Sequence, residues 1–309
     1  MSAASEVVGA RRRPRRRRLR QGSALADLLG GLLPLAVRDL QDRIDERLER
    51  IPNRLNAYGF DPTGLSPDVV RRTALLSALV YRHYFRVETS GVENVPAGRV
   101  LVIANHAGQL PFDAAMLSTA LLLEVEPPRI ARGMGEYWVP SLPWVSVLAA
   151  RTGAVVGTPR NCVHMLESGE CVLAFPEGVR GMNKLFRERY ELQRFGLGFM
   201  RLALETHTPI LPVAIVGSEE QQPAFANLRG LARLLGMPAF PLTLGFPWLG
   251  PAGLLPLPVR YQIHFGEPLV FEGDPHEEDA IVERKVERVK EAIAGLLERG
   301  LRQRRGIFA

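Results

Sequence analysis

The sequence predicts an α/β protein in which a mostly parallel, mixed sheet is flanked by helices, with N-terminal amphipathic helices before it and a C-terminal helix after it. From about residue 91, short apolar runs such as RVLVIAN and CVLAFPEG alternate with helical stretches such as AAMLSTALLLE. Strands that alternate with helices are typical of a parallel sheet covered on both faces. Apolar residues spaced by three and four positions indicate helices on either side of this region.

The N-terminal helices are predicted within residues 23–90. The first carries an apolar stripe with helical spacing, formed by Val37, Leu40, Ile44, Leu48 and Ile51. After the turn-rich stretch IPNRLNAYGFDPTGLSP, a second helix is predicted over residues 67–85. We regard this segment as a candidate for membrane contact.

The C-terminal helix is predicted near residues 279–299 from a further stripe with the same spacing. Its apolar members are Val282, Val286, Val289, Ile293 and Leu296. Together with the basic tail RGLRQRR, this helix makes up the segment 272–309. Residues 91–271 then form the central domain.

The positive charge of the chain is concentrated at its start. Residues 1–20 contain eight Arg and one Glu, whereas the rest of the chain is close to neutral. A block of like charges without an apolar period cannot bury a core, so we predict a disordered Arg-rich arm over residues 1–22.

No membrane-spanning apolar helix is predicted from the sequence. The longest uncharged run, residues 234–259, contains six prolines and four glycines, and this proline density breaks a helix. We interpret the run as loops over an apolar surface or as segments that dip into a lipid interface. Only Cys162 and Cys171 occur, too few for a disulfide framework, which favours a reducing compartment.

Two predicted strands end in polar residues that the fold itself does not require. The strand in RVLVIAN ends at Asn105 and His106, and Asp113 precedes the next helix, where an aspartate is a favoured N-cap. The strand in CVLAFPEG is followed by Glu177 and Arg180. Because ligand crevices in open α/β sheets lie beyond the carboxyl ends of strands, these residues predict one site.

The motifs at these strand ends resemble those of the glycerolipid acyltransferases, the broad family that includes the lysophosphatidic acid acyltransferases. Four blocks occur in the family's order, NHAGQLPFD, GAVVGTPR, FPEGVRG and PILPVAI, and the resemblance covers roughly residues 84–270. It implies an acyltransferase domain at 91–271. The implied reaction moves a fatty acyl group from acyl-CoA or acyl carrier protein to a hydroxyl of a lysophospholipid or lysophosphatidic acid, with neither a cofactor nor a metal.

The chemistry of the first block agrees with this resemblance. An alcohol is a poor nucleophile unless its proton is removed as it attacks, and His106 suits that task because an unperturbed imidazole has a pKa of about 6.5. Asp113 is the candidate that holds the imidazole tautomer and supports the developing positive charge. An N-cap role for Asp113 remains an alternative, and one residue can serve both.

Candidate substrate-binding residues come from the other blocks. Arg180 would bind an anionic group of the acceptor or the donor through its planar fork. Glu177 would hold an acceptor hydroxyl, and Gly178 would let the backbone approach the substrate. Either Asn105 or a loop N–H would stabilise the tetrahedral oxyanion. Arg160, from the second block, is either a ligand contact or a solvated loop charge.

The motifs depart from the usual family pattern in two ways. Six residues separate His106 from Asp113, where the family usually has four, and Val179 and Gly181 replace the usual Thr and Ser of the third block. The wider spacing is similar to a branch that acylates neutral glycerolipids. Stretches of RFGLGFMRLALETHTPILPVAIVGSEE also look like blocks of diacylglycerol acyltransferases. A neutral-lipid acyltransferase with a diacylglycerol or long-chain alcohol acceptor is therefore the alternative.

These observations lead us to expect a cytoplasmic enzyme that is peripheral on a membrane. An anionic membrane surface is the expected partner of the Arg-rich arm. Nucleic acid would use the same charge, but it is disfavoured because residues 11–20 contain no aromatic residue. The remaining interpretations of the arm are a free solvated tail and a non-catalytic tether.

Overall fold

The structure is a computed structural model that describes residues 35–108, 110–234 and 240–308. The Arg-rich arm predicted for residues 1–22 and the start of the 23–90 segment therefore lie outside the described residues. Leu40–Ala309 belong to one structural unit, which contains every side chain discussed below.

Nine strands are described, and seven of them form the central sheet. The strands are β1 (Glu88–Ser90), β2 (Val100–Ala104), β3 (Ala131–Gly135), β4 (Val155–Val156), β5 (Cys171–Ala174), β6 (Ile210–Val216), β7 (Ala224–Asn227), β8 (Pro241–Thr243) and β9 (Gln262–Phe265). The sheet order is β1-β9-β6-β2-β5-β3-β4. Strands β2 to β6 of this sheet run parallel, whereas β9 is antiparallel to β6 and parallel to β1. The predicted mostly parallel, mixed sheet is confirmed.

Helices cover both faces of this sheet. The described α-helices are α1 (Leu35–Glu49), α2 (Pro67–Leu79), α3 (Phe112–Leu123), α4 (Val145–Arg151), α5 (Pro159–Glu167), α6 (Val179–Met182), α7 (Gly198–Thr206), α8 (Arg229–Leu234) and α9 (Asp279–Gln303). The predicted N-terminal and C-terminal helices correspond to α1, α2 and α9. The α2 helix ends at Leu79 and continues as a π-helical turn over Val80–Tyr84, so the α-helix is shorter than predicted. Among the described residues, no helix has both the length and the apolar composition needed to cross a bilayer.

The central strand β2 shows why the apolar runs are continuous rather than alternating. Val102 and Ala104 pack into a cluster with helix α3, whereas Leu101 and Ile103 pack on the other face with helices α5, α7 and α9. Successive side chains of a strand point to opposite faces, so a strand that is covered on both sides needs apolar residues at every position. All five residues of β2 are buried.

The N-terminal helices pack against the end of α3. Leu40, Ile44 and Leu48 of α1 share a buried cluster with residues of α2 and with the last two leucines of α3. Arg47 donates to the carbonyl oxygens of Leu122 and Val125, which satisfies acceptors that the end of α3 leaves free. The apolar stripe of α1 therefore faces protein from Leu40 onward, and a membrane contact by the 23–90 segment would have to use other residues.

The run 234–259 is only partly the set of loops that the sequence predicts. Strand β8 pairs antiparallel with β7 in a separate two-stranded sheet, and a 3-10 turn covers Gly250–Leu254. Strands β7 and β8 are consecutive in the chain and form a hairpin with a long connection, residues 228–240. Proline at the start of β8 obscures its strand character.

Candidate active site

The register of the sheet brings the two motif-bearing strand ends together. Strands β2 and β5 pair in parallel, with Ile103 opposite Ala174. Because both strands end at the same edge, the turn that carries His106 lies beside the turn that carries Glu177. The convergence expected from the sequence is thus a direct consequence of adjacent parallel strands.

His106 and Asp113 form a buried hydrogen-bonded pair. The distance from His106 Nδ1 to Asp113 Oδ2 is 2.6 Å. A carboxylate can only accept a hydrogen bond, so Nδ1 carries the proton and Nε2 of the neutral ring keeps a free lone pair. Among the described residues, no hydrogen bond engages Nε2. This is the arrangement that a histidine base requires.

Asp113 lies two residues further into helix α3 than the N-cap position that the sequence predicts for it. The N-cap position is Pro111 and Asp113 is the second helical residue, so the N-cap interpretation is wrong in detail. Its Oδ2 atom also accepts from the backbone N–H of Ala107 at 2.9 Å, and Oδ1 accepts from Ala114 N at 2.7 Å. Three donors and the positive end of the helix dipole hold this carboxylate in place.

The imidazole of His106 is fixed from the side as well. The ring of Phe175 stacks on it with a centroid distance of 4.3 Å and an interplanar angle of 25°. Burial lowers the pKa of His106, but the charge of Asp113 and its hydrogen bond raise this pKa by more, so it lies above the ordinary value of 6.5. Charges on Glu177 and Lys184 act on the same ring in opposite directions.

Gly181, at the position of the usual Ser, is a steric necessity in this chain. A Cβ atom there would lie 2.9 Å from the carbonyl oxygen of His106 and 2.9 Å from Cβ of Glu177. Helix α6 therefore passes directly over the backbone of His106. The departure from the family pattern reflects this close packing.

Glu177 organises the site rather than facing a substrate. It is 1% exposed, and its Oε1 atom accepts from the backbone N–H of His106 at 3.0 Å. Its Oε2 atom accepts from Gln193 N at 2.9 Å and lies 3.3 Å from Lys184 Nζ. With both oxygens engaged, the hydroxyl-binding role suggested from the sequence gives way to a positioning role.

Two buried charges in this network were missed by the sequence reasoning. Lys184 lies between Glu177 and Glu219, with its Nζ atom 2.8 Å from Glu219 Oε1. Glu219 also accepts from Tyr190 N at 2.7 Å. Burial raises the pKa of Glu219 above its ordinary value, although Lys184 opposes this shift. The available signal was GSEE directly after strand β6, which is the other neighbour of β2.

The remaining candidates from the sequence occupy different surroundings. Both amide atoms of Asn105 bond the backbone of Ile215 in β6, at 3.0 and 2.8 Å, so Asn105 joins two strands and one of its two amide N–H groups is engaged there. Gly178 has a φ of 55°, and a Cβ atom there would lie 3.0 Å from Glu136 Oε1. Arg160 is exposed in the first turn of α5, after edge strand β4. Within the described part of the chain, no hydrogen bond or ion pair links Arg160 to the His106 network.

Arg180 lines a cavity of about 560 Å³ beside the Glu177 network. The lining includes four basic side chains and one acidic one, namely Arg180, Lys184, Arg187, Arg233 and Glu188. Across the described ranges, neither Arg180 nor Arg233 forms an ion pair with a carboxylate. A cavity with this charge balance favours an anionic ligand.

The turn after His106 depends on a glycine and on a buried amide. Gly108 has a φ of +88°, and a Cβ atom there would lie 2.5 Å from Gln221 Nε2. Gln221 is fully buried, its Oε1 atom accepts from Tyr261 OH at 2.7 Å, and its Nε2 atom has no hydrogen-bond partner among the described residues. Gly108 is therefore required both for its backbone conformation and for the close approach of this amide.

We expect Gly108→Ala to reduce turnover more than its backbone strain alone would. The matched control is Gly169→Ala, because Gly169 has a similar φ of +82° but open space around its Cα. Each change costs roughly 1 kcal/mol of unfolding free energy through the left-handed backbone, whereas only Gly108→Ala displaces Gln221 and the turn that holds His106. Equal kcat values in the two variants would contradict this account.

Comparisons with known proteins agree with this geometry. A family model described as acyltransferase matches residues 86–216. An uncharacterized protein of Mycobacterium tuberculosis is 41% identical over 259 residues, which cover 82% of this chain and 71% of the relative. A "DGAT1/2-independent enzyme synthesizing storage lipids" of Mus musculus is 26% identical over 219 residues, which cover 69% of this chain and 60% of that enzyme.

A solved structure has the same fold. The 1-acyl-sn-glycerophosphate (LPA) acyltransferase PlsC of Thermotoga maritima superposes with a TM-score of 0.50 and 18% sequence identity, covering 77% of this chain and 81% of that protein. At this identity the similarity concerns the fold. It confirms the predicted α/β class with its flanking helices.

The protein combines a mostly parallel sheet with a buried histidine–aspartate pair at its carboxyl edge, and the family model that matches it is that of an acyltransferase. The chain belongs to the glycerolipid acyltransferase family and is an O-acyltransferase. The resemblance drawn from the four sequence blocks is confirmed.

Proposed function

We propose that this enzyme transfers a fatty acyl group from acyl-CoA or acyl carrier protein to a hydroxyl of a glycerolipid, with His106 as the general base. The observation that carries the proposal is the 2.6 Å contact between His106 Nδ1 and Asp113 Oδ2, at the edge where β2 and β5 end. That contact leaves Nε2 as the proton acceptor.

The chemical step follows from this geometry. Nε2 takes the hydroxyl proton as the acceptor oxygen bonds to the thioester carbonyl carbon, and Asp113 stabilises the imidazolium that forms. Collapse of the tetrahedral intermediate breaks the C–S bond, and the imidazolium returns the proton to the leaving thiolate. Because the thioester is already activated, the step needs no covalent enzyme intermediate.

The oxyanion of the tetrahedral intermediate needs hydrogen-bond donors, and one of the two amide N–H groups of Asn105 is already engaged by Ile215 of β6. Beside the turn at Gly108, the buried Nε2 group of Gln221 is a donor that no described group accepts from. We therefore assign it as a candidate, together with the backbone N–H groups of the turn.

The cationic cavity supports an acceptor that bears a phosphate, such as lysophosphatidic acid or a lysophospholipid. Arg180 and Arg233 provide charges that no described carboxylate neutralises, and a guanidinium binds phosphate through two parallel hydrogen bonds. The runner-up is a neutral acceptor such as diacylglycerol. It is favoured by the relative that synthesizes storage lipids and by the wide spacing between His106 and Asp113.

An acceptor screen separates these two functions. The enzyme is incubated with labelled acyl-CoA and either lysophosphatidic acid, a lysophospholipid, diacylglycerol or a long-chain alcohol, and each product is identified. Preferred acylation of a phosphate-bearing acceptor supports the main proposal. Preferred acylation of diacylglycerol or alcohol establishes the runner-up, and transfer to none of them would refute both.

Arg180→Ala is expected to raise the KM of the phosphate-bearing substrate by about 10- to 100-fold, because a hydrogen bond to a charged group contributes roughly 1.5–3 kcal/mol. The matched control is Arg302→Ala, since Arg302 pairs with Glu298 on the exposed face of α9. A rise in the acceptor KM assigns the cavity to the acceptor phosphate, and a rise in the acyl-CoA KM assigns it to the donor. Unchanged KM values for both would contradict an anion-binding role.

We infer that the enzyme acts at the cytoplasmic surface of a membrane, because its acceptors are lipids. The Arg-rich arm at residues 1–22 would add attraction to anionic lipid, about 1 kcal/mol for each Arg near the surface.

A further inference from the structure

An uncharged loop projects from the protein beside the candidate active site. The stretch 241–259, PLTLGFPWLGPAGLLPLPV, contains no charged residue. We define its central part, residues 244–255, as the apolar projection. Its four large apolar side chains that reach solvent are Leu244, Trp248, Leu249 and Leu255, each at least 65% exposed.

The apolar projection is ordered by contacts within itself. The backbones at Gly245 and Gly253 touch, since a Cβ atom on Gly245 would lie 2.8 Å from Gly253 Cα. Leu249 N donates to Gly245 O at 2.8 Å, and Phe246 N donates to Thr243 Oγ1 at 2.9 Å. Trp248 and Leu249 are thus presented at the tip of a closed loop.

The base of the projection is joined to the turn that carries His106. Gln222 Nε2 donates to Leu254 O, and Gln222 Oε1 accepts from Leu110 N at 3.4 Å. Leu257 N donates to Gln221 O at 2.7 Å, and Tyr84 OH donates to Pro256 O at 2.6 Å. Any surface that binds the projection would therefore lie next to the turn that carries His106.

The surroundings favour a lipid bilayer as the occupant of this surface. The cationic cavity borders the β7–β8 hairpin from which the projection extends. Asn227 of β7 lines the cavity, and so does Arg233 of α8, which lies between the two strands in the chain. Exposed Trp and Leu beside unneutralised Arg match the two layers of a membrane interface, acyl chains below and anionic headgroups above. A protein partner could cover the apolar side chains, but it would not account for the adjacent cationic side chains.

We propose that the apolar projection inserts into the interface of a bilayer containing anionic phospholipid and thereby sets the His106 site against the lipid surface. The idea that this contact serves acyl transfer rests on the proposed function. The contact itself can be measured without any acyl donor or acceptor, so a failure of either idea is recognised separately.

The test compares vesicle binding of the full chain and of Trp248→Ser/Leu249→Ser. Vesicles of phosphatidylcholine with a minor fraction of phosphatidylglycerol are sedimented at about 1 M salt, where the Debye length is about 3 Å and attraction to the Arg-rich arm is screened. We expect the double variant to partition at least about tenfold more weakly, because two large apolar side chains no longer leave water.

The matched control is Val270→Ser, which removes an apolar side chain that is 71% exposed. Val270 follows Leu269, which pairs with the first residue of β6, so it lies at the opposite end of the sheet from His106. We expect its vesicle binding to equal that of the wild type. Equal weakening by both changes would overturn the assignment of the surface.

A second measurement locates the contact directly. In Trp138→Phe/Trp144→Phe, Trp248 is the sole tryptophan, and brominated phospholipid in the vesicles is expected to quench its fluorescence. Wild-type partition of the double serine variant, or a Trp248 signal insensitive to bromine, would overturn the proposal. Retained binding and quenching in His106→Ala would support it even in a protein that transfers nothing.

Discussion

His106→Ala is expected to abolish acyl transfer while the protein stays folded. A positioned general base contributes about 10²–10⁴ in rate. Among the described residues, no other side chain forms a hydrogen bond with Asp113. The loss should appear in kcat for every acceptor, because each acceptor hydroxyl must lose its proton. The measurement is single-turnover transfer from labelled acyl-CoA.

The fold should survive this change because Asp113 keeps its other partners. Its carboxylate still accepts from the backbone N–H groups of Ala107 and Ala114, so no buried charge is left without a donor. Circular dichroism and the unfolding midpoint provide the check. His83→Ala is the matched control, since His83 is exposed on the turn after α2 and should transfer like the wild type. Near wild-type turnover by His106→Ala would remove the assigned role.

The same role determines the pH dependence of the wild type. In the proposed role, the neutral imidazole is the active form. Burial lowers the pKa of His106, but Asp113 raises it by more, so this pKa lies above 6.5. We therefore expect kcat/KM to rise with pH through a midpoint above 6.5. In Asp113→Asn the charge is gone, so the residual activity should rise through a lower midpoint. If kcat/KM rose through the same midpoint pH in the wild type and in Asp113→Asn, the electrostatic coupling of His106 to Asp113 would be contradicted.

Lys184→Met is expected to lower the free energy of unfolding by about 3–5 kcal/mol. Its side chain is 4% exposed and lies between two carboxylates that are themselves buried, on Glu177 and Glu219. Removing one partner of a buried ion pair leaves an uncompensated charge, and here two like charges then face each other. Since whole domains are stable by only about 5–15 kcal/mol, denaturant unfolding should detect the loss readily.

A matched control and a rescue variant separate this effect from the simple loss of an ion pair. Lys285→Met removes the more exposed pair with Glu277 and should cost about 1 kcal/mol or less. Lys184→Met combined with Glu219→Gln removes one of the two remaining charges, so it should recover a large part of the lost stability. Equal losses for the two lysine variants, or no recovery in the combined variant, would contradict the account.

The strands that frame the site were predictable because their signal is local. Strands β2 and β5 are uninterrupted apolar runs that end in polar residues, and such runs indicate strands buried on both faces. The helical stripe of α9 was predictable for the same reason. In contrast, the pairing of β7 with β8 spans a sequence gap with no periodic pattern, so it became visible only in the fold.

The roles of individual site residues were predictable only in part. His106 and Asp113 were identified as partners, and the structure places them in contact. Glu177 and Asn105 were expected to face a substrate, yet each forms two hydrogen bonds with the backbone of other segments. Lys184 and Glu219 escaped notice because a charged residue in a sequence resembles a solvated one until its neighbours are known.

The sequence by itself determined the α/β class, the family and the two turns that carry its polar motifs, because apolar periodicity and motif spacing are properties of short stretches of chain. The tertiary structure decided which charges are buried together, which amides are already satisfied and where the uncharged loop projects. These features depend on contacts between β2, β5, β6 and the β7–β8 hairpin. The strand order that creates such contacts cannot be inferred from any single stretch of the sequence.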